Sequence, residues 1–121
     1  MVRQNIRTID GIVTLTPVEK EAISEFVSLL RKRLGSAIRE IILFGSKVRG
    51  ESEKDSDIDI LVVLDTLSWE IKKTISEIAA QENIKHNVII STIRYDADTW
   101  EDPVIKASPF GLSVRKEGIW L

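Results

Sequence analysis

Asp57 and Asp59 alternate at the start of an apolar run, Ile58 to Leu64. Side chains alternate faces along a strand, so both carboxylates project from one face, a few ångströms apart. Like charges that close repel, and each is costly to desolvate unless a cation neutralises the pair. A strand that opens this way suits solvent or a metal ion. Upstream, the continuous apolar run Ile41 to Phe44 stops at Gly45-Ser46, followed by Lys47, Arg49 and Gly50. A glycine at a strand end allows a sharp turn and close approach of a ligand. A helical turn opening at Ser46 would turn backbone N–H groups and a dipole toward an anion. Ser46 adds a hydroxyl donor, and Arg49 a fork of N–H groups suited to phosphate. The stretch therefore holds a phosphate cradle at Gly45, Ser46 and Arg49, and a metal-binding pair at Asp57 and Asp59.

For the two groups to meet, the strand ending at Phe44 and the strand opening at Asp57 must be antiparallel neighbours. The loop Glu51 to Ser56 is long enough for that reversal. Ile58, Ile60, Val62 and Leu64 share one face, while Leu61 and Val63 follow the aspartates on the other, so this strand is expected to be central. Thr16-Pro17-Val18-Glu19 reads as a capping box with proline at the first helical position. Ala22, Ile23, Phe26, Val27, Leu29, Leu30 and Leu34 form the apolar stripe of that helix, and Gly35 its C-cap. A second helix is expected from about Ser68 to Glu82, and a third strand from Val88 to Ile93. A crossover through that helix makes the third strand parallel to the second. Trp100 to Ala107 reads as a helical turn interrupted near Pro103, Ser108-Pro109 as another helix start, and Gly118 to Leu121 as an edge strand. Residues 1 to 15 show no clean periodicity; Ile9, Ile12, Val13 and Leu15 suit an extended arm or a short strand.

Gly45-Ser46-x-x-Arg49-Gly50 followed by Ser56-Asp57-Ile58-Asp59-Ile60 resembles the signature of the polymerase beta-like nucleotidyltransferase superfamily, and within it the minimal nucleotidyltransferases. Pro109-Phe110 and Arg115-Lys116-Glu117-Gly118 resemble their closing segment. The resemblance implies an α+β fold with a small mixed sheet packed against helices. It implies metal-dependent transfer of a nucleoside monophosphate, AMP from ATP, to a hydroxyl, with Mg²⁺ (or Mn²⁺) on Asp57 and Asp59. In many small relatives that hydroxyl belongs to a helical HEPN-type partner toxin. An active member carries a third acidic residue at the start of the third strand, and the residue matched to it here is Ile89. Isoleucine neither binds a cation nor takes a proton. The alternative is therefore a binding module that holds a nucleotide or the partner without catalysis.

At 121 residues the chain is expected to form a single domain, 1–121. Seventeen basic against 19 acidic residues give a net charge of −2, which argues against bulk nucleic-acid binding. No run approaches a membrane span and Met1 to Asp10 is too polar for a secretory signal, so a cytoplasmic protein is expected. Oligomeric state is left open. The absence of cysteine excludes disulfides and thiolate sites, and one histidine excludes a multi-histidine centre. A catalytic metal must then be held by oxygen, which points to magnesium or manganese.

Asp96, Asp98 and Asp102 are the nearby acids; turn formation and capping account for them better than ligation. Asp55 shares parity with the aspartates but sits in the loop. Lys47 reads as solvated with an aid to phosphate binding as the alternative, and His86 as a loop or packing residue with a nucleotide contact as the alternative. Trp69, Trp100 and Trp120 read as core or core edge, against an exposed patch for a partner.

Overall fold

The structure, a computed structural model, describes residues 9–11, 14–50 and 56–121. Ile9–Gly11 is a 3₁₀ turn rather than a strand; Ile12 and Val13 of the expected arm lie outside the described residues. Helix α1 (Pro17–Leu34) opens on the expected capping box. Thr16 Oγ1 accepts the Glu19 N–H at 3.1 Å, and Glu19 Oε1 accepts the Thr16 N–H at 2.9 Å. Such a cap contributes about 1 kcal/mol. The helix ends at Gly35, whose φ of 49° lies in the region that favours glycine.

Strand β1 (Ile38–Phe44) leads through a single helical turn, α2 (Ser46–Arg49), to β2 (Ile58–Leu64). Helix α3 (Trp69–His86) follows, capped by Ser68 Oγ at 3.2 Å from the Ile71 N–H. It runs four residues past the expected end at Glu82, to Asn87 in the left-handed conformation. Strand β3 (Ile90–Asp96) then starts two residues late and ends three residues late, because Asn87 has already absorbed the turn out of the helix. Three short helices, α4 (Ala97–Glu101), α5 (Pro103–Ala107) and α6 (Pro109–Glu117), lead to strand β4 (Ile119–Trp120). Asp96 caps α4 through the Thr99 N–H at 2.7 Å, and Asp102 caps α5 through the Val104 N–H at 2.8 Å. Capping was the reading preferred for both.

The sheet order is β3-β2-β1-β4, with β1 antiparallel to β2 and β4, and β2 parallel to β3. Both relations match the sequence reading. This is an α+β arrangement with a mixed four-stranded sheet. Ile41, Leu43, Ile58, Ile60, Val62 and Leu64 face α1 and α3 in the larger core. Ile42, Leu61 and Val63 face Trp100 and Val114 in a smaller core under α4 to α6. The side of β2 that carries Leu61 and Val63 is also the side of Asp57 and Asp59, by strand alternation. Of the tryptophans, Trp100 is buried, Trp120 is half-buried and Trp69 is exposed. Among the described residues no helix is long and apolar enough to cross a membrane.

Candidate active site

Strand register brings the two halves of the central motif together. Phe44 pairs with Asp59, so Gly45 comes off β1 directly beside the mouth of β2. Gly45 has a φ of 86°, a backbone conformation in which a side chain is strained. There is no room for one either. A Cβ at Gly45 would land on Asp59 Oδ2, with Asp59 Cγ at 3.1 Å and Cβ at 3.3 Å. The glycine turn and the carboxylate thus pack directly on each other. Gly45→Ala is expected to cost about 1–3 kcal/mol through strain and to push Asp59 aside. Urea denaturation measures this, and an unchanged midpoint would refute the contact.

Ser46 opens α2, whose Val48 and Arg49 N–H groups are donated to the Gly45 carbonyl at 3.1 and 3.2 Å. Arg49 is exposed, with its guanidinium 3.8 Å from Glu117 at the end of α6. Asp57 is exposed and Asp59 half-buried. Burial raises the Asp59 carboxyl above its ordinary value, the charge of Asp57 raises it further, and Arg49 opposes both. The two acids and the arginine therefore share one electrostatic environment. It is an all-oxygen anionic pair that Arg49 offsets in part, which suits a hard divalent cation.

The third-acid position follows from pairing. On β3 the residue level with Asp59 is Ser91, on the same face of the sheet. Ile89 lies two residues earlier, just before β3, is exposed, and accepts the Ile58 N–H through its carbonyl at 2.8 Å. Asn87, between α3 and β3, forms the α3 C-cap. Among the described residues no third carboxylate or imidazole groups with Asp57 and Asp59; Asp55 lies outside them.

Lys47 overturns its reading as a solvated side chain. It is 1% exposed, and its Nζ lies 2.7 Å from Glu19 Oε2. Glu19 thus caps α1 with one oxygen and holds Lys47 with the other. The Lys47 carbonyl accepts the Thr14 hydroxyl. The turn that carries Ser46 and Arg49 is anchored from below to the start of α1. This pairing carried no local sequence signal beyond the capping box. His86 lies not in a loop but at the end of α3, where its side chain packs beside Glu82 and Glu25. A cavity of about 470 Å³, lined by Thr16, Glu19, Ser56, His86 and Ile89 among others, adjoins the site without including Gly45, Ser46, Arg49, Asp57 or Asp59.

Residues 23–108 match the family described as a nucleotidyltransferase domain. A Methanocaldococcus jannaschii protein, provisionally named a protein adenylyltransferase, is 37% identical over 75 residues, 62% of this chain and 71% of that protein. The protein adenylyltransferase MntA of Thermococcus cleftensis is 64% identical over 52 residues, 43% of this chain and 50% of that protein. A crystal structure of a mutant toxin–antitoxin MntA–HpeT shares the fold at a TM-score of 0.53 and 24% identity, covering 82% of this chain and 70% of that one.

Proposed function

This chain belongs to the nucleotidyltransferase domain family, and from that membership we propose that it moves AMP from ATP to a hydroxyl on a partner protein. The observation that carries the reading is the packing of Gly45 against Asp59, which joins an anion turn to a carboxylate pair. Ser46, the Gly45 turn and Arg49 bind the β- and γ-phosphates. Held there, the α-phosphorus is oriented in line with the attacking hydroxyl, and pyrophosphate is the leaving group. Asp57 and Asp59 would hold Mg²⁺ (or Mn²⁺), which when bound neutralises charge on the entering and leaving oxygens. Asp59 is poised for that role, since its ionised form is disfavoured by burial and by Asp57 until a cation offsets both. Arg49 lies between the acids and Glu117, so a triphosphate competes with Glu117 for it. The relatives named protein adenylyltransferases support a protein acceptor. The similar solved structure is of a toxin–antitoxin MntA–HpeT, and the resemblance of the central motif to the minimal nucleotidyltransferases implies a helical, HEPN-type toxin as the partner here. A cytoplasmic location would suit ATP as the donor.

A second reading has one observation in its favour. Ser91 stands level with Asp59, and Ile89 lies two residues before it, so the start of β3 brings the pair no acid. On that reading the protein binds its partner and neutralises it by contact. Incubation with α-labelled radioactive ATP, magnesium and a purified partner toxin separates the two. Label on the toxin that vanishes in Asp57→Ala is expected. A tight complex that never acquires label would overturn the transferase reading.

A further inference from the structure

Away from the nucleotidyl site, Glu25 of α1 meets Glu82 and His86 of α3. Glu82 and His86 stand four residues apart, so one helix face presents both. His86 Nε2 lies 3.1 Å from Glu82 Oε2 and 3.4 Å from Glu25 Oε2. One ligand atom from each residue falls within 4.8 Å of the other two. Ligands held at about 2.0–2.2 Å from a shared zinc-type ion stand roughly 3–3.6 Å apart. Both histidine contacts have that span.

Hydrogen bonding accounts for only part of the arrangement: His86 Nε2 reaches Glu25 Oε2, and Glu25 and Glu82 share a side-chain hydrogen bond. Glu82 is 1% exposed, yet its Oε2 has no hydrogen-bond partner. His86 Nε2 sits beside that oxygen without an aligned bond, as two ligands of one ion do. An orphaned buried carboxylate oxygen is costly, and a second carboxylate alongside makes it more so. Burial raises the Glu82 carboxyl above its ordinary value, and Glu25 adds to the effect. Lys85 pairs with the far side of Glu25, with Nζ 2.5 Å from Oε1, and its charge and that of His86 offset the Glu82 shift only in part. That contact leaves Glu25 Oε2 turned toward His86.

We propose that Glu25, Glu82 and His86 form a binding site for a divalent transition-metal cation of the zinc type, which clamps α1 to α3. One imidazole with two carboxylates favours such an ion over magnesium or calcium, which prefer all-oxygen sites. Three protein ligands leave a fourth position for water. The ion has a route in, because His86 lines the cavity beside β3 and Glu25 is partly exposed. The site is independent of the nucleotidyl-transfer reading, since it shares no residue with Asp57, Asp59 or the anion turn.

The test uses the whole chain, freed of metal by chelation, with Zn²⁺ as the probe at neutral pH. Calorimetry is expected to show one equivalent bound that survives in the Asp57→Asn/Asp59→Asn double variant. A hundredfold excess over Kd should raise the thermal midpoint by roughly 5–10 °C. His86→Gln and Glu82→Gln should each weaken Zn²⁺ binding by about a hundredfold and abolish the midpoint shift. Glu82→Gln removes a buried repulsion and is expected to stay folded, checked by circular dichroism. Unchanged Zn²⁺ affinity in that folded variant, or no binding by the folded parent chain, overturns the proposal.

Discussion

Replacing Asp59 by asparagine is expected to lower nucleotidyl transfer by about a thousandfold or more while leaving the fold as firm or firmer. The two effects have one origin. Asp59 is half-buried against Gly45 and faces the charge of Asp57. Its folded carboxyl holds a proton more tightly than an unfolded aspartate does. A group shifted upward favours folding most at low pH, and that contribution fades as pH rises through its folded value. At neutral pH the ionised side chain is therefore a net cost, which the neutral amide removes. The variant's urea midpoint at pH 7 should equal or exceed that of the parent chain. The gap should close below about pH 4, where aspartates are protonated in both states. Magnesium should raise the parent midpoint and leave the variant unmoved. A variant that is less stable at pH 7, or that keeps full transfer activity, would contradict the assignment.

Lys47→Ala should produce the largest loss of stability, about 3–5 kcal/mol. Removing Lys47 strands Glu19 as an uncompensated buried charge and opens a gap where the long lysine stem was packed. Against a total stability of about 5–15 kcal/mol, that is enough to bring the chain near unfolding. Glu19→Gln in the same background keeps the cap to the Thr16 N–H and removes the stranded charge. The double variant Lys47→Ala/Glu19→Gln should then recover the part of the loss that the stranded charge causes. A denaturation double-mutant cycle reads the coupling directly. A loss below about 1 kcal/mol for Lys47→Ala would mean the pair is not buried as described.

What could be read from the chain was what depends on near neighbours. The capping box at Thr16 and Glu19, the proline starts at Pro17 and Pro109, and the glycine at position 45 are local signals, and each marks the feature expected of it. The aspartate alternation on β2 placed both carboxylates on one face because a strand has no other choice. Features that need distant residues were hidden. Lys47 looked like any surface lysine until Glu19, from another element, was brought beneath it. His86 seemed to sit in a loop because the helix was expected to stop at Glu82; its spacing from Glu82 becomes meaningful only once α3 extends another turn. The neighbour of Asp59 on β3 depends on sheet register, which no pattern within β3 could decide between Ile89 and Ser91.

Strand β4 returns from far along the chain to pair with the outer edge of β1, and Leu121 donates its N–H to the Ile41 carbonyl at 2.8 Å. Trp120 Nε1–H is donated to Glu40 at 2.7 Å, and Arg31 reaches the Leu121 carbonyl at 2.7 Å. On the ribosome, therefore, one flank of β1 stays unzipped until residues 119–121 have emerged. Until then the bare edge of β1 is open to pairing with a stray strand.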